Sequence, residues 1–360
     1  MAPLLPPRLL RRGLELFILA SVIALVALLI YGNSWRASWQ AMERLNPAWA
    51  LVALALASSD WWGGGLRIWL LAKFLHRRTP LGGMVVAGGL NTWGSYLTPS
   101  QTGGGPVMIW AMNRYGVPVP EATIAAFMSF VGTVVFFAIA GPMAIVLGAG
   151  RSLRAHGVPL VHVSLYDVFK ASAWGFVVIG ALLLFVLVFP RRARAVLHAA
   201  MDFLERRGGA WMAARVSGLR EGVDRMQECV VQFLTPLGWL AMLGGVLTSS
   251  LAHANKLLAA YVVLRMLGIH ANLVDVLLLQ TAISFLLYFA PTPGGAGAAE
   301  ALSAALMGLY VPRMLVPVYT LLWRFTVSYA TVIFGSFVFF RLLHGRLGEA
   351  ESPVEVAPAA

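Results

Sequence analysis

A single cysteine, Cys229, occurs in 360 residues. An intramolecular disulfide is therefore excluded, and no Cys/His spacing exists that would hold structural zinc. Charge is scarce as well: Asp, Glu, Lys and Arg together make 12% of the chain, against about a quarter in an average soluble domain. Acidic residues are the scarcer sign, 15 against 27 basic, which leaves a formal net charge of +12. The signatures of soluble catalysis are missing too. There is no G-x-S-x-G elbow, no P-loop and no H-E-x-x-H pair, and no polar stretch long enough for a nucleotide-binding or transferase domain. These absences argue against ATP-driven work within this chain and predict a protein that is not an enzyme, with no cofactor, no metal and no catalytic residue.

What is abundant is apolar surface. Hydrophobic residues make 59% of the chain and the mean hydropathy is +0.78, so the composition is that of an integral membrane protein. Apolar spans lie near 14–32, 48–75, 81–97, 119–148, 169–189, 238–267, 273–290 and 313–341, with shorter helical pieces near 105–114 and 295–309. The long spans can cross a hydrocarbon core of roughly 30 Å. The first has the basic flank of a signal peptide, but its core is about twice the usual length and no A-x-A site follows, so it reads as a retained helix. Between 190 and 235 the chain turns basic and amphipathic, which predicts one or two helices along the cytoplasmic surface. Residues 346–360 read as a disordered tail.

The basic residues lie between spans rather than among interleaved aromatics, which speaks for a positive-inside bias and against nucleic-acid binding. Let residues 81–114 form a re-entrant hairpin from the cytoplasmic side and residues 273–311 one from the outer side. Then 17 of the 27 basic residues fall inside and 7 outside. Ordinary single crossings would put the arginine-rich 190–235 segment outside, against the bias. The fold expected is all-α and polytopic: six full transmembrane helices, two opposed re-entrant hairpins, and both termini in the cytoplasm. The chain is a single domain, 1–345, with 48–148 and 238–341 as two repeat units. A shift of 192 residues pairs Leu81 with Leu273, Tyr96 with Tyr288 and Pro99 with Pro291. The units would have opposite orientation, the inverted repeat of many transporters. Chance similarity between apolar helices is the alternative.

Two stretches break the apolar pattern: YLTPSQTGGGPVMIW at 96–110 and YFAPTPGGAGAAEALSAAL at 288–306. Proline removes a donor and glycine admits unusual dihedrals, so backbone groups lose helical partners there. One reading makes each stretch an anion site, with the helix N-termini after Gly105 and Gly295 directed at a phosphate. It nominates Thr98, Gln101, Gly103, Gly104 and Gly105 in the first stretch, and Thr292, Gly294, Gly295 and Gly297 in the second. The other reading is a packed hairpin tip whose glycines allow close helix approach.

Three basic residues, Arg67, Lys256 and Arg324, fall within spans, where charge costs at least about 2.5–3.5 kcal/mol. Their acidic counterparts are Asp60 and Glu300. The pairs Glu300–Arg324 and Asp60–Lys256 would either fix helix packing or let the cations meet a phosphate while the carboxylates hold them or carry protons. Arg67 lies about eight residues from the cytoplasmic end of its span and can snorkel. His156 and His162 read as loop residues. Tryptophans such as Trp35, Trp39, Trp49 and Trp239 suit interface anchoring, while Trp61 and Trp62, beside Gly63–Gly65, could line an acyl groove.

The combination of LTPSQTGGGPVMIWAMNRYGVPVPEA with APTPGGAGAAEA and WRFTVSYATVIFGS resembles the flippase-like family typified by the transmembrane region of lysylphosphatidylglycerol synthases, over residues 15–341. Pro291, Pro293, Gly294, Gly295, Gly297 and Glu300 look like its P-x-PGG-x-G-x-x-E signature, and Trp323, Arg324, Tyr329 and Gly335 like its WR-x-x-x-x-Y element. The resemblance implies a lipid-handling protein of a bacterial cytoplasmic membrane. It does not extend to aminoacyl-lipid synthesis, because these residues hold no transferase domain. The first motif also has GGGP where many members have a G-E pair followed by arginine, which leaves the substrate open. The expected function is movement of an amphiphilic, anionic or phosphate-bearing lipid between leaflets, with a lipid-biosynthesis enzyme as a possible partner. The alternatives are a non-transporting enzyme or accessory subunit of lipid or glycan assembly, and a small-solute or ion transporter.

Overall fold

The computed structural model describes residues 6–32, 35–148, 159–160 and 163–350. Its helices are α1 (Pro7–Gly32), α2 (Trp35–Glu43), α3 (Pro47–Ala57), α4 (Ser59–Leu75), α5 (Leu81–Tyr96), α6 (Gly104–Arg114), α7 (Val119–Val146), α8 (Leu165–Val188), α9 (Pro190–Gln232), α10 (Pro236–Ala252), α11 (Ala254–Met266), α12 (Leu273–Tyr288), α13 (Ala298–Met307), α14 (Val316–Arg324) and α15 (Ala330–Ala350). A π-turn, Phe325–Tyr329, joins the last two. The fold is the all-α polytopic one expected. A two-residue strand pair, Pro159–Leu160 with Val163–Ser164, is the one departure among the described residues.

Helix starts follow local chemistry. Asn46 Oδ1 accepts from the amides of Ala48 and Trp49 with Pro47 in the first turn, Thr235 Oγ1 caps α10 ahead of Pro236, and Asn272 Oδ1 caps α12. Each side chain satisfies amides that the first turn leaves without a helical partner. Among the described residues, five stretches are long and apolar enough to cross a membrane: Arg8–Ile30, Val119–Val146, Phe169–Val188, Pro236–Met266 and Arg313–Leu343. The span expected at 48–75 is the broken helix α3–α4, interrupted at Ser58.

Each half of the chain runs broken helix, hairpin, long helix. The two broken helices lie antiparallel. Asn46 N donates to Met266 O, the Trp49 and Tyr261 rings meet at 6.1 Å, and the backbones of Gly63 and Ala252 touch. Further along, Gly245 packs on Leu71. The breaks at Ser58 and His253 therefore lie side by side.

Glycines set the spacing of α4 and α5. A Cβ on Gly88 would stand 2.4 Å from the Gly65 nitrogen, and one on Gly65 would stand 2.4 Å from Val85 Cα. Trp61 lies over Gly89 and against Phe334 at 4.7 Å. The Gly63–Gly65 run is thus a packing face; of the two tryptophans considered for an acyl groove, Trp61 is buried and Trp62 points outward. Gly88→Ala should cost about 1–3 kcal/mol, because backbone rather than a flexible side chain must move. A lower apparent Tm in detergent, unmatched by Gly105→Ala where nothing lies within 4 Å, would show it.

The basic linker, α9, is one helical element of 43 residues. It cannot be straight: at 1.5 Å per residue Arg194 and Asp224 would lie about 45 Å apart, yet Arg194 Nε donates to Asp224 Oδ1 at 2.7 Å. Arg220 also pairs with Asp202 and Glu205. The element folds back between Glu205 and Arg220, giving two antiparallel arms. Arg194, then His198, hold the Asp224 carboxyl below its ordinary range by hydrogen bonding. At the C-terminus α15 continues to Ala350, so residues 346–350, the start of the stretch read as a tail, are helical. His156, His162 and residues 351–360 lie outside the described residues.

Candidate functional site

The helix breaks place charge in the interior. Asp60 lies in the first turn after Ser58, and Lys256 in the first turn after His253. Lys256 Nζ stands 3.6 Å from Asp60 Oδ1. Asn255 Nδ2 donates to Asp60 Oδ2 at 2.9 Å and Thr331 Oγ1 donates to the same oxygen at 3.4 Å. Two turns along α4, Arg67 Nη1 donates to Thr133 Oγ1 at 2.7 Å and to Ser249 Oγ at 3.2 Å. The Arg67 side chain does not snorkel: the residue is 5% exposed. Hydroxyls from α7 and α10 hold it inward, and its Nε has no hydrogen-bond partner.

These groups surround a polar cavity of about 60 Å³ lined by Asp60, Arg67, Gln101, His253, Lys256 and Tyr288, with Asn91, Thr92 and Ser95 on the α5 side. His253 Nδ1 lies 2.7 Å from Ser249 O, and its Nε2 lies 3.4 Å from the Tyr288 hydroxyl. Both hairpins thus reach this space, one through Gln101 and the other through Tyr288.

The hairpin tips also touch each other: Ser100 N donates to Ala290 O at 3.3 Å. The bend of the first tip lies at Ser100 and Gln101, at φ 50° and 58°, a left-handed conformation uncommon outside glycine. Gly103, the N-cap of α6, has right-handed dihedrals instead, and Gly104 is the first residue of that helix. They let the hairpin arms close, for a Cβ on Gly104 would fall 2.2 Å from Ser95 Oγ. The second tip does bend at glycine, with Gly294, Gly295 and Gly297 all at positive φ.

The amides expected to receive an anion are directed inward. Gly103 N donates to Thr98 Oγ1 at 2.7 Å, Gly295 N donates to Thr292 O, and Gly297 N donates to Glu300 Oε2 at 2.8 Å. Thr292 Oγ1 donates to Ala296 O. Thr98, Gly103, Thr292, Gly295 and Gly297 therefore build the tips, and Gly105 meets no neighbour. Protein oxygens thus already hold the Gly103, Gly295 and Gly297 amides, as in a packed hairpin tip.

Glu300 and Arg324 form a second cluster. Arg324 Nε donates to Glu300 Oε1 at 2.9 Å, as does the Tyr329 hydroxyl, and Arg324 Nη1 reaches Gly294 O at 3.5 Å. The guanidinium carbon lies 5.3 Å from both the Phe17 and Tyr329 ring centroids. Both ion pairs read from the sequence form, but Arg324 is not among the residues that line the polar cavity. Phe17 and Tyr329 instead separate it from an apolar groove of about 570 Å³ between α1 and the last helices, walled also by Val22, Leu321, Phe325 and Val332. Gly335 serves packing, since a Cβ there would fall 2.6 Å from the Trp93 ring.

Sequence reading missed Thr133, Tyr288 and the Asn91–Ser95 face as parts of the cavity, and Ser249 and Thr331 as partners of Arg67 and Asp60. His253 and Asn255 were visible beside Lys256, but their partners lie on distant helices.

Two comparisons bear on this architecture. The family described as the lysylphosphatidylglycerol synthase TM region matches residues 14–335. A UPF0104 membrane protein of Archaeoglobus fulgidus is 22% identical over 322 residues, covering 87% of this chain and 92% of the relative. No solved structure matches. The match at 14–335 covers most of α1, both broken helices, both hairpins and the Glu300–Arg324 cluster, so the chain is an integral membrane protein that belongs to the lysylphosphatidylglycerol synthase transmembrane-region family.

Proposed function

We propose that this protein moves an amphiphilic lipid with an anionic or phosphate-bearing headgroup between the leaflets of a cytoplasmic membrane, by conformational change and without a covalent step. Six crossings, two opposed re-entrant hairpins related by an inverted repeat, and cytoplasmic termini complete the proposal. The antiparallel broken helices support the inverted relation, and the arginine-rich α9 supports the orientation. A lipid-biosynthesis enzyme is the proposed partner.

The observation that carries the reading is the cavity where both breaks and both hairpins meet. Arg67 and Lys256 face Asp60 there, leaving one positive charge in excess, and a headgroup phosphate would neutralise it. The cavity has room for about four to six waters, so this conformation is closed and the tips must part to admit a headgroup. The apolar groove beside Phe17 and Tyr329 offers acyl chains a lane along α1.

The test is dithionite quenching of fluorescent phospholipids in vesicles holding the purified protein. Wild type should expose inner-leaflet label. Arg67→Met should slow exchange about 10–100-fold, the loss of a hydrogen bond to a charged group at 1.5–3 kcal/mol, and Lys256→Met should act in the same direction. Covalent modification of added lipid without exchange would instead assign the chain to an enzyme or accessory subunit.

A further inference from the structure

The two buried ion pairs are not built alike. Glu300 receives three donors at 2.8–2.9 Å: the Gly297 amide, Arg324 Nε and the Tyr329 hydroxyl. That carboxylate is fully engaged and does not line the polar cavity. Asp60, 1% exposed, receives one short hydrogen bond, from Asn255, while Thr331 and Lys256 stand at 3.4 and 3.6 Å. It also borders the cavity, as does its cation, which is partly exposed. A loosely held carboxylate next to space for water can exchange a proton; a tightly held one sealed from water cannot.

The remaining groups around Asp60 bear on its charge. Lys256 and His253 face it from the α10–α11 break, Arg67 from its own helix, and the Tyr288 and Tyr96 phenols from the ends of the two hairpin arms. Arg67 is committed to Thr133 and Ser249, so Lys256 is the cation whose attachment to Asp60 can change.

From this geometry we infer that Asp60 is a proton-binding site at the crossing of the two helix breaks, and that proton binding there is coupled to binding of an anion in the adjoining cavity. The proton adds to a carboxylate oxygen of Asp60 and gives a neutral carboxylic acid. Lys256 keeps its own proton and loses its counter-ion. The charge of the cavity rises by one, so a proton and an anionic group favour each other's binding, each by the same factor. The coupling half rests on the lipid reading proposed above; the proton site stands without it.

The experiment is infrared difference spectroscopy of the purified protein in lipid, titrated with acid and without added substrate. A protonated-carboxyl C=O band should grow as pH falls, be absent in Asp60→Asn, and remain in Glu300→Gln. Asn255→Leu removes the short donor to the carboxylate, so the same band should appear about one pH unit or more higher, a readout that does not depend on Asp60→Asn folding. Phosphatidylglycerol vesicles in place of phosphatidylcholine should raise the midpoint of wild type. No band, a band that survives Asp60→Asn, or a midpoint unmoved by Asn255→Leu would overturn the proton site. An unchanged midpoint in phosphatidylglycerol would overturn the coupling alone. Failure of leaflet exchange in the dithionite assay is a separate result and would leave a confirmed proton site standing.

Discussion

Replacing Arg324 with methionine is expected to destabilise the folded protein by about 3–5 kcal/mol, the cost of removing one partner of a buried pair. Few positions in the chain should respond as strongly. Glu300 is 0% exposed and Arg324 1%, so the carboxylate left behind has no solvent to turn to. It would keep the Gly297 amide and the Tyr329 hydroxyl but no counter-charge. Adding Glu300→Gln to the same chain should recover most of the loss. The glutamine oxygen, in the place of Oε2, still accepts from Gly297 N, its NH2, in the place of Oε1, can donate to the Tyr329 hydroxyl, and no uncompensated charge remains. The double-mutant cycle, read by reversible unfolding in mixed micelles, should therefore show strong coupling. If Arg324→Met leaves stability unchanged, the pair is not the brace that joins the second hairpin tip to the last helix.

A disulfide across the hairpin tips should stop leaflet exchange. Ser100 N donates to Ala290 O at 3.3 Å, and a backbone hydrogen bond between facing segments sets the Cα atoms roughly 5–6 Å apart. That lies within the span a disulfide bridges, about 4.4–6.8 Å. With Cys229→Ser removing the one native thiol, Ser100→Cys and Ala290→Cys can pair only with each other within the molecule. Oxidation would fix the tips over a cavity too small for a headgroup, and reduction would release them.

How much of this was legible depended on what kind of signal each feature leaves. The two hairpins were marked by Pro99, Gly103–Gly105 and the Pro291–Gly297 run, residues whose backbone chemistry interrupts a helix wherever they stand. The charged pairs were legible because Asp60, Lys256, Glu300 and Arg324 are few and out of place in apolar spans. The helix breaks at Ser58 and His253 were not, since SSDWW and LAHAN contain neither proline nor glycine and tertiary contacts set those interruptions. Arg67 was misread for a related reason: counting residues to the end of a span treats the helix as lipid-facing. Thr133 and Ser249, which hold it inward, lie 66 and 182 positions away. In the first tip the chain turns at Ser100 and Gln101, neither of which is glycine or proline, while Gly103 and Gly104 serve the close approach that the packed-tip reading gave them.

The central claim, that lipid passes between leaflets when the hairpin tips part, is tested most directly by the Ser100→Cys, Ala290→Cys, Cys229→Ser protein in vesicles with fluorescent phospholipid. Dithionite should quench only the outer leaflet while the tips are oxidised, and both leaflets once a reductant has cleaved the cross-link. Equal exchange in the oxidised and reduced protein, with the cross-link verified, would contradict passage through this site.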